Sequence, residues 1–307
     1  MITKAIIFNL ILGLQLFASL GGQSPVTESK PVTQHQDFYL LPITQTTLFP
    51  LRDYSIPEPK ILAQSFLEYD TYSGKVLASK NSDKKWPMAS LAKIMTAIVV
   101  LENDSDLEKE FKITKDVLVK SESFEGGVDL VVGETWRVYD LLQMMLIKSS
   151  NTAAFAIEKV LENDGIVLVD KMNEKAKELG MEQTTFNDPA GLDDINTISN
   201  AEDLGKMIEY SFKHDLIQKI LTTQKENIAT ADMKTMKSLV STNQLLGVIP
   251  DILSGKTGFT DLAKGNMILV VKASPDSKLV SIVLGSDDRF GETKKIIDWA
   301  KKAYKWE

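Results

Sequence analysis

No cysteine occurs anywhere in the 307 residues. That single absence removes a thiol nucleophile, a zinc–cysteine centre, a disulfide framework and a lipid-modified amino-terminal cysteine. Histidine is nearly absent too: His35 stands in a proline-rich stretch and His214 in a polar one, so a Ser-His-Asp triad would have to borrow its base from an unpromising place. There is no H-E-x-x-H segment and no glycine-rich phosphate loop, which leaves metal and nucleotide chemistry without a foothold. No metal site and no cofactor are therefore expected. A formal charge of −7 without any basic cluster argues against a nucleic-acid partner.

What is present is concentrated in residues 86–101, W-P-M-A-S-L-A-K-I-M-T-A-I-V-V-L, where Lys93 is the single charge in an apolar run. Ser90 lies three residues earlier, and positions i and i+3 share a helix face. A helix apolar all round is buried, and a buried ammonium is costly unless it is paired or loses its proton. A lysine with a lowered pKa beside a serine makes that serine an activated nucleophile. The same S-x-x-K pattern recurs at Ser82 and Lys85, but in a polar turn where both side chains are expected to be solvated.

Two further elements follow in order: S-x-N at Ser149 and Asn151, and K-T-G at Lys256, Thr257 and Gly258. S-x-N is weak alone, since Ser79 with Asn81 and Ser241 with Asn243 also match, whereas K-T-G occurs once. The ordered trio is the signature of penicillin-binding proteins and serine β-lactamases. With Gly74-Lys75-Val76-Leu77, Asn187-x-Pro189-x-Gly191-Leu192 and Asn243-x-Leu245-Leu246 around it, residues 61–304 resemble the serine-type D-Ala-D-Ala carboxypeptidases, the low-molecular-weight penicillin-binding proteins. Ala92 and Thr152 depart from that pattern, where a threonine and an aspartate are expected.

The chemistry reads residue by residue. Ser90 attacks the carbonyl of a D-Ala-D-Ala bond and Lys93 takes its proton, with the charge of Lys256 helping to keep Lys93 neutral. Ser149 relays a proton to the leaving amine and Asn151 holds the substrate backbone. The resemblance implies that Lys256 and Thr257 bind the terminal carboxylate. Gly258 leaves room for substrate at the strand edge, and the N–H groups of Ser90 and Phe259 form an oxyanion hole in which the Phe259 side chain has no part. The implied partners are peptidoglycan stem peptides ending in D-Ala-D-Ala and, as covalent inhibitors, β-lactams. A D,D-endopeptidase of the same fold carries the same motifs. A β-lactamase is disfavoured because no E-x-x-L-N element lies between Asn151 and Lys256. A catalytically silent wall-binding scaffold is disfavoured because every polar residue the chemistry needs is present.

Organisation follows from composition. Residues 1–22 read as a signal peptide or an amino-terminal membrane anchor, with one lysine and then an apolar run. Either implies export to the periplasm or cell surface. Residues 23–60 hold six of the ten prolines and read as a linker, or as an arm lying across the domain. Residues 61–307 form the catalytic domain. Strands are expected at 64–69, 75–79, 265–273 and 278–285, and helices at 90–101, 138–147, 152–161, 169–179, 201–212 and 292–306. Strands at both ends with helices between them give an α+β fold of the β-lactamase/transpeptidase-like kind: a central antiparallel sheet flanked by helices, plus a helical lobe.

Overall fold

In the computed structural model the described residues are 50–103, 106–122, 129–192 and 196–306. The expected signal or anchor, and the linker as far as residue 49, lie outside them. Five strands form one antiparallel sheet in the order Ile252–Thr260, Lys264–Lys272, Lys278–Ser286, Ser65–Asp70, Val76–Lys80. The three interior strands are buried along almost their whole length because both sheet faces are covered, and two of them, Lys264–Lys272 and Lys278–Ser286, are nearly continuous apolar runs. Successive residues serve opposite cores. Ile268, Val270, Val280 and Ile282 face the helical lobe, while Met267, Leu269, Val271 and Leu279 face the carboxy-terminal helix Arg289–Ala303. That helix presents Ile296, Ile297, Ala300 and Ala303 to the sheet. It begins at Asp288, whose carboxylate caps Gly291 N–H at 2.9 Å.

At the centre of the lobe runs the helix Ala92–Asn103, buried on every side from Ala92 to Val100. Around it pack Val138–Ile147, Asn151–Asn163, Leu168–Glu178, Ala201–Ser211 and Asp215–Leu221. The sequence expectation began the central helix at Ser90. Instead Ala89–Leu91 form a 3₁₀ turn ahead of it, entered through a left-handed Ala89 with φ +50°. In that tighter winding i and i+3 eclipse, so Ser90 and Lys93 still share a face.

Residues 50–60 lie on the domain. Leu51–Arg52 pairs with Tyr304–Lys305, and the Arg52 guanidinium stands 5.0–5.8 Å from the rings of Tyr54, Trp299 and Tyr304. Among the described residues no helix is long and apolar enough to cross a membrane.

Candidate active site

The cleft opens where the edge strand Ile252–Thr260 meets the lobe. Ser90, Ser149, Asn151, Thr257, Gly258 and Phe259 all line it, around about 270 Å³. Lys93 and Lys256 lie behind this lining, 0% and 1% exposed.

Lys93 Nζ is 2.8 Å from Ser90 Oγ, 2.8 Å from Asn151 Oδ1 and 2.6 Å from the Ala190 carbonyl oxygen. A neutral amine has two N–H bonds and one lone pair. The amide and carbonyl oxygens can only accept, so they take both N–H bonds and leave the lone pair directed at the Ser90 hydroxyl. Burial lowers the Lys93 ammonium to about 7, with the carboxylates of Asp188 and Asp129 opposing that shift. The expectation that Lys256 keeps Lys93 neutral is therefore revised. Burial is the leading cause, and repulsion between the two ammonium groups weighs on Lys256, which burial and then Lys93 push well down.

Lys256 Nζ donates to Ser149 Oγ at 2.8 Å and to the Thr257 carbonyl at 2.9 Å. Ser149 occupies a left-handed conformation, φ +64°, in the turn between two helices. The next residue, Ser150, caps the helix that Asn151 opens: its Oγ accepts from Ala153 N–H at 3.0 Å and donates to Asp129 Oδ1 at 2.7 Å. In S-S-N, therefore, one serine faces Lys256 and the other fixes the helix that carries Asn151. Thr257 Oγ1 shares a 2.7 Å hydrogen bond with Thr242 Oγ1. The Phe259 side chain is 55% exposed, consistent with a role for its backbone alone.

Gly258 has a reason beside the one expected. A Cβ there would lie 3.1 Å from Ala89 Cβ, 3.2 Å from Met88 O and 3.3 Å from Ser90 N. The space is taken by the nucleophile turn itself. Gly191 presses on the same turn, and its Cβ would fall 1.8 Å from Ala89 O.

Two residues escaped the sequence reading. Asp188 Oδ1 accepts from Ala190 N–H and Gly191 N–H at 2.7 Å each, fixing the loop whose Ala190 carbonyl holds Lys93. Arg289 lines the cleft half-buried, and its Nε has no hydrogen-bond partner among the described residues. Neither had a local signal: Asp188 sits at an unassigned position of the N-x-P segment, and Arg289 lies far from K-T-G in the chain. The second S-x-x-K is a surface turn, where Ser82 Oγ bonds Glu202 at 2.8 Å.

Comparison with known proteins now bears on this geometry. The model of the D-alanyl-D-alanine carboxypeptidase family, peptidase S11, matches residues 53–288. The chain belongs to this family. Within it, the chain is 31% identical over 245 residues to the D-alanyl-D-alanine carboxypeptidase DacF of Bacillus subtilis, covering 78% of this chain and 61% of that one. It is 32% identical over 224 residues to a D-alanyl-D-alanine endopeptidase of Haemophilus influenzae, covering 72% and 75%. The chain thus spans less than two thirds of the Bacillus relative and three quarters of the Haemophilus one. Among solved structures, a D-alanyl-D-alanine carboxypeptidase of Mycobacterium tuberculosis superposes with a TM-score of 0.70 at 25% identity, over 81% of this chain and 94% of that one. The Streptomyces K15 DD-transpeptidase shares the fold, with a TM-score of 0.74 at 24% identity over 80% and 98%.

Proposed function

We propose that this chain is a serine D-Ala-D-Ala carboxypeptidase that trims peptidoglycan stem peptides through an acyl-enzyme on Ser90. The observation that carries the reading is the Lys93 amine, whose two N–H bonds are committed to Asn151 and Ala190 and whose lone pair faces Ser90. Lys93 takes the hydroxyl proton as Oγ attacks the penultimate D-Ala carbonyl. The N–H groups of Ser90 and Phe259 hold the oxyanion. Ser149 gives its proton to the departing amine and is reprotonated from Lys256, its 2.8 Å neighbour. The carboxylate of the leaving D-Ala meets the Arg289 guanidinium and the Thr257 hydroxyl in the cleft, with Lys256 behind them. The proton taken by Lys93 passes back to Lys256, and Lys93 then takes one from the water that attacks the acyl carbon and returns it to Ser90 Oγ as the ester bond breaks.

Endopeptidase cleavage is the second reading, supported by relatives that bear each name. Work on the cell wall places the enzyme outside the cytoplasm, and the apolar run in residues 5–20 supports export, whether it is cleaved or retained as an anchor. The test is the intact mass after incubation with benzylpenicillin, beside Ser90→Ala. An adduct on the wild type alone is expected. Penicillin hydrolysed without an adduct would point to a β-lactamase, and penicillin left intact to a silent scaffold.

A further inference from the structure

A second groove, about 460 Å³, lies between the start of the helix Val138–Ile147 and the hairpin of Lys225–Ala229 with Met236–Val240. One wall is a strand edge. Thr230 N–H donates to Thr235 O, and Ser241 N–H to Gln224 O, at 2.9 Å each. By antiparallel alternation the N–H and C=O groups of Lys225, Asn227 and Ala229 then point away from the partner strand. Ala231, next on that outward edge, donates to Thr135 O at 2.9 Å. Beyond this bond the two hairpins diverge and the groove opens. Asn227 N–H is taken by Glu226 Oε1 at 3.0 Å. The Ala229 N–H and the Asn227 and Ala229 carbonyls have no partner among the described residues.

Across the groove stands Gln143, 6% exposed, whose carboxamide makes no hydrogen bond among the described residues. The carboxamide is not one of the fully buried unpartnered groups, so its donors and acceptor are open to a ligand from the groove. The charge is unbalanced as well. Arg137 is neutralised by Asp140 at 2.7 Å and Glu108 at 3.2 Å, whereas Glu110 and Glu226, also lining the groove, have no cationic partner among the described residues. An unpaired strand edge, a free carboxamide opposite it and two spare carboxylates suit an extended peptide bearing an ammonium group.

The groove and the catalytic cleft share no lining residue but are linked through one helix. Gln143 and Ile147 are one helical turn apart, about 6 Å along the axis. The Ile147 carbonyl accepts from Thr242 N–H at 3.1 Å, and Thr242 lines the cleft on the Ser149 side. We propose that this groove holds the second peptide of a cross-linked substrate, its strand added to the Asn227–Ala229 edge and its amino-terminal ammonium between Glu110 and Glu226, while the first peptide occupies the cleft. The assignment rests on the D,D-peptidase reading of that cleft and adds cleavage of cross-links to the carboxypeptidase reaction.

The test compares kcat/KM on a cross-linked stem-peptide dimer with free amino termini, kcat/KM on a monomeric pentapeptide, and the rate of acylation by benzylpenicillin. Gln143→Leu keeps the volume and removes the carboxamide, Ala229→Pro removes an outward N–H at an edge position, and Glu226→Lys reverses a charge. Each is expected to lower the dimer value by about tenfold, the worth of a buried hydrogen bond or close charge pair, with the other two rates unchanged. Acetylating the dimer's amino termini should reproduce the loss in the wild type and add nothing in Glu226→Lys. Equal losses on monomer and dimer, an unchanged dimer value in Gln143→Leu, or indifference to acetylation would overturn the proposal. If Ala229→Pro fails to fold, Gln143→Leu and the acetylated dimer decide it. A wild type that takes up no penicillin and cleaves neither peptide would sink the cleft reading itself, and the groove assignment with it.

Discussion

The role proposed for Lys93 as a base rests on what surrounds it: two oxygens that only accept, one hydroxyl, and no exposure to bulk solvent. Its working form is the neutral amine, so the acylation rate should climb as pH rises through about 7 and then level off. A benzylpenicillin acylation profile level on both sides of that value would place the base elsewhere. The glycines of the cleft make a sharper contrast. Gly258→Ala would press a methyl group toward Ser90 N–H, and the expected result is a folded protein acylating about a hundredfold more slowly, the worth of one oxyanion donor. Gly191→Ala would drive Cβ into the Ala89 carbonyl at a backbone φ of +75° and should cost the fold itself, read as loss of soluble protein. Near-normal acylation in Gly258→Ala would remove the nucleophile turn as the reason for that glycine.

The helix Asn151–Asn163 shows how an element delivers a functional side chain. Ser150→Ala removes both its cap and the tie to Asp129. It should cost about 1 kcal/mol, seen as a lower melting temperature, and should slow acylation because Asn151 is the first helical residue. Elements of this kind were legible in the sequence where periodicity was strong. The helix Val138–Ile147 falls on the residues its spacing indicates, and the two central strands lie within a residue of expectation. The helices Lys115–Glu122 and Asp215–Leu221 and the hairpin around Thr230–Thr235 were not legible. They are short, and the hairpin alternates polar residues with only Ile228 and Leu239 buried, so tertiary contacts decide them. The motif residues were legible because their chemistry restricts residue type. Asp188 and Arg289 were not, because only the folded chain brings them to the cleft.

At the scale of the molecule, the sheet is a partition between two cores, and among the polar groups inside it is the carboxyl of Glu68. Glu68 is fully buried on the side of the carboxy-terminal helix, bonded by Ser281 Oγ, with its Oε1 unpartnered among the described residues. Burial lifts its carboxyl well above the ordinary value of 4.5. The folded chain therefore keeps a proton that the unfolded chain releases. Its contribution to stability is complete below about pH 4.5 and declines by about 1.4 kcal/mol per pH unit as pH rises toward the folded-state value. Glu68→Gln should flatten the fall of melting temperature with rising pH, and an unchanged slope would show that the carboxyl is not the cause. The pairing of Leu51–Arg52 with Tyr304–Lys305 has a topological consequence. The polypeptide from residue 51 to residue 305 is a ring with one seam, so a short bridge across that seam, with new ends opened at the turn Ser274–Ser277, should give a circular permutant with the same cleft. Anything joined to either side of the seam leaves from a single corner and acts as one handle.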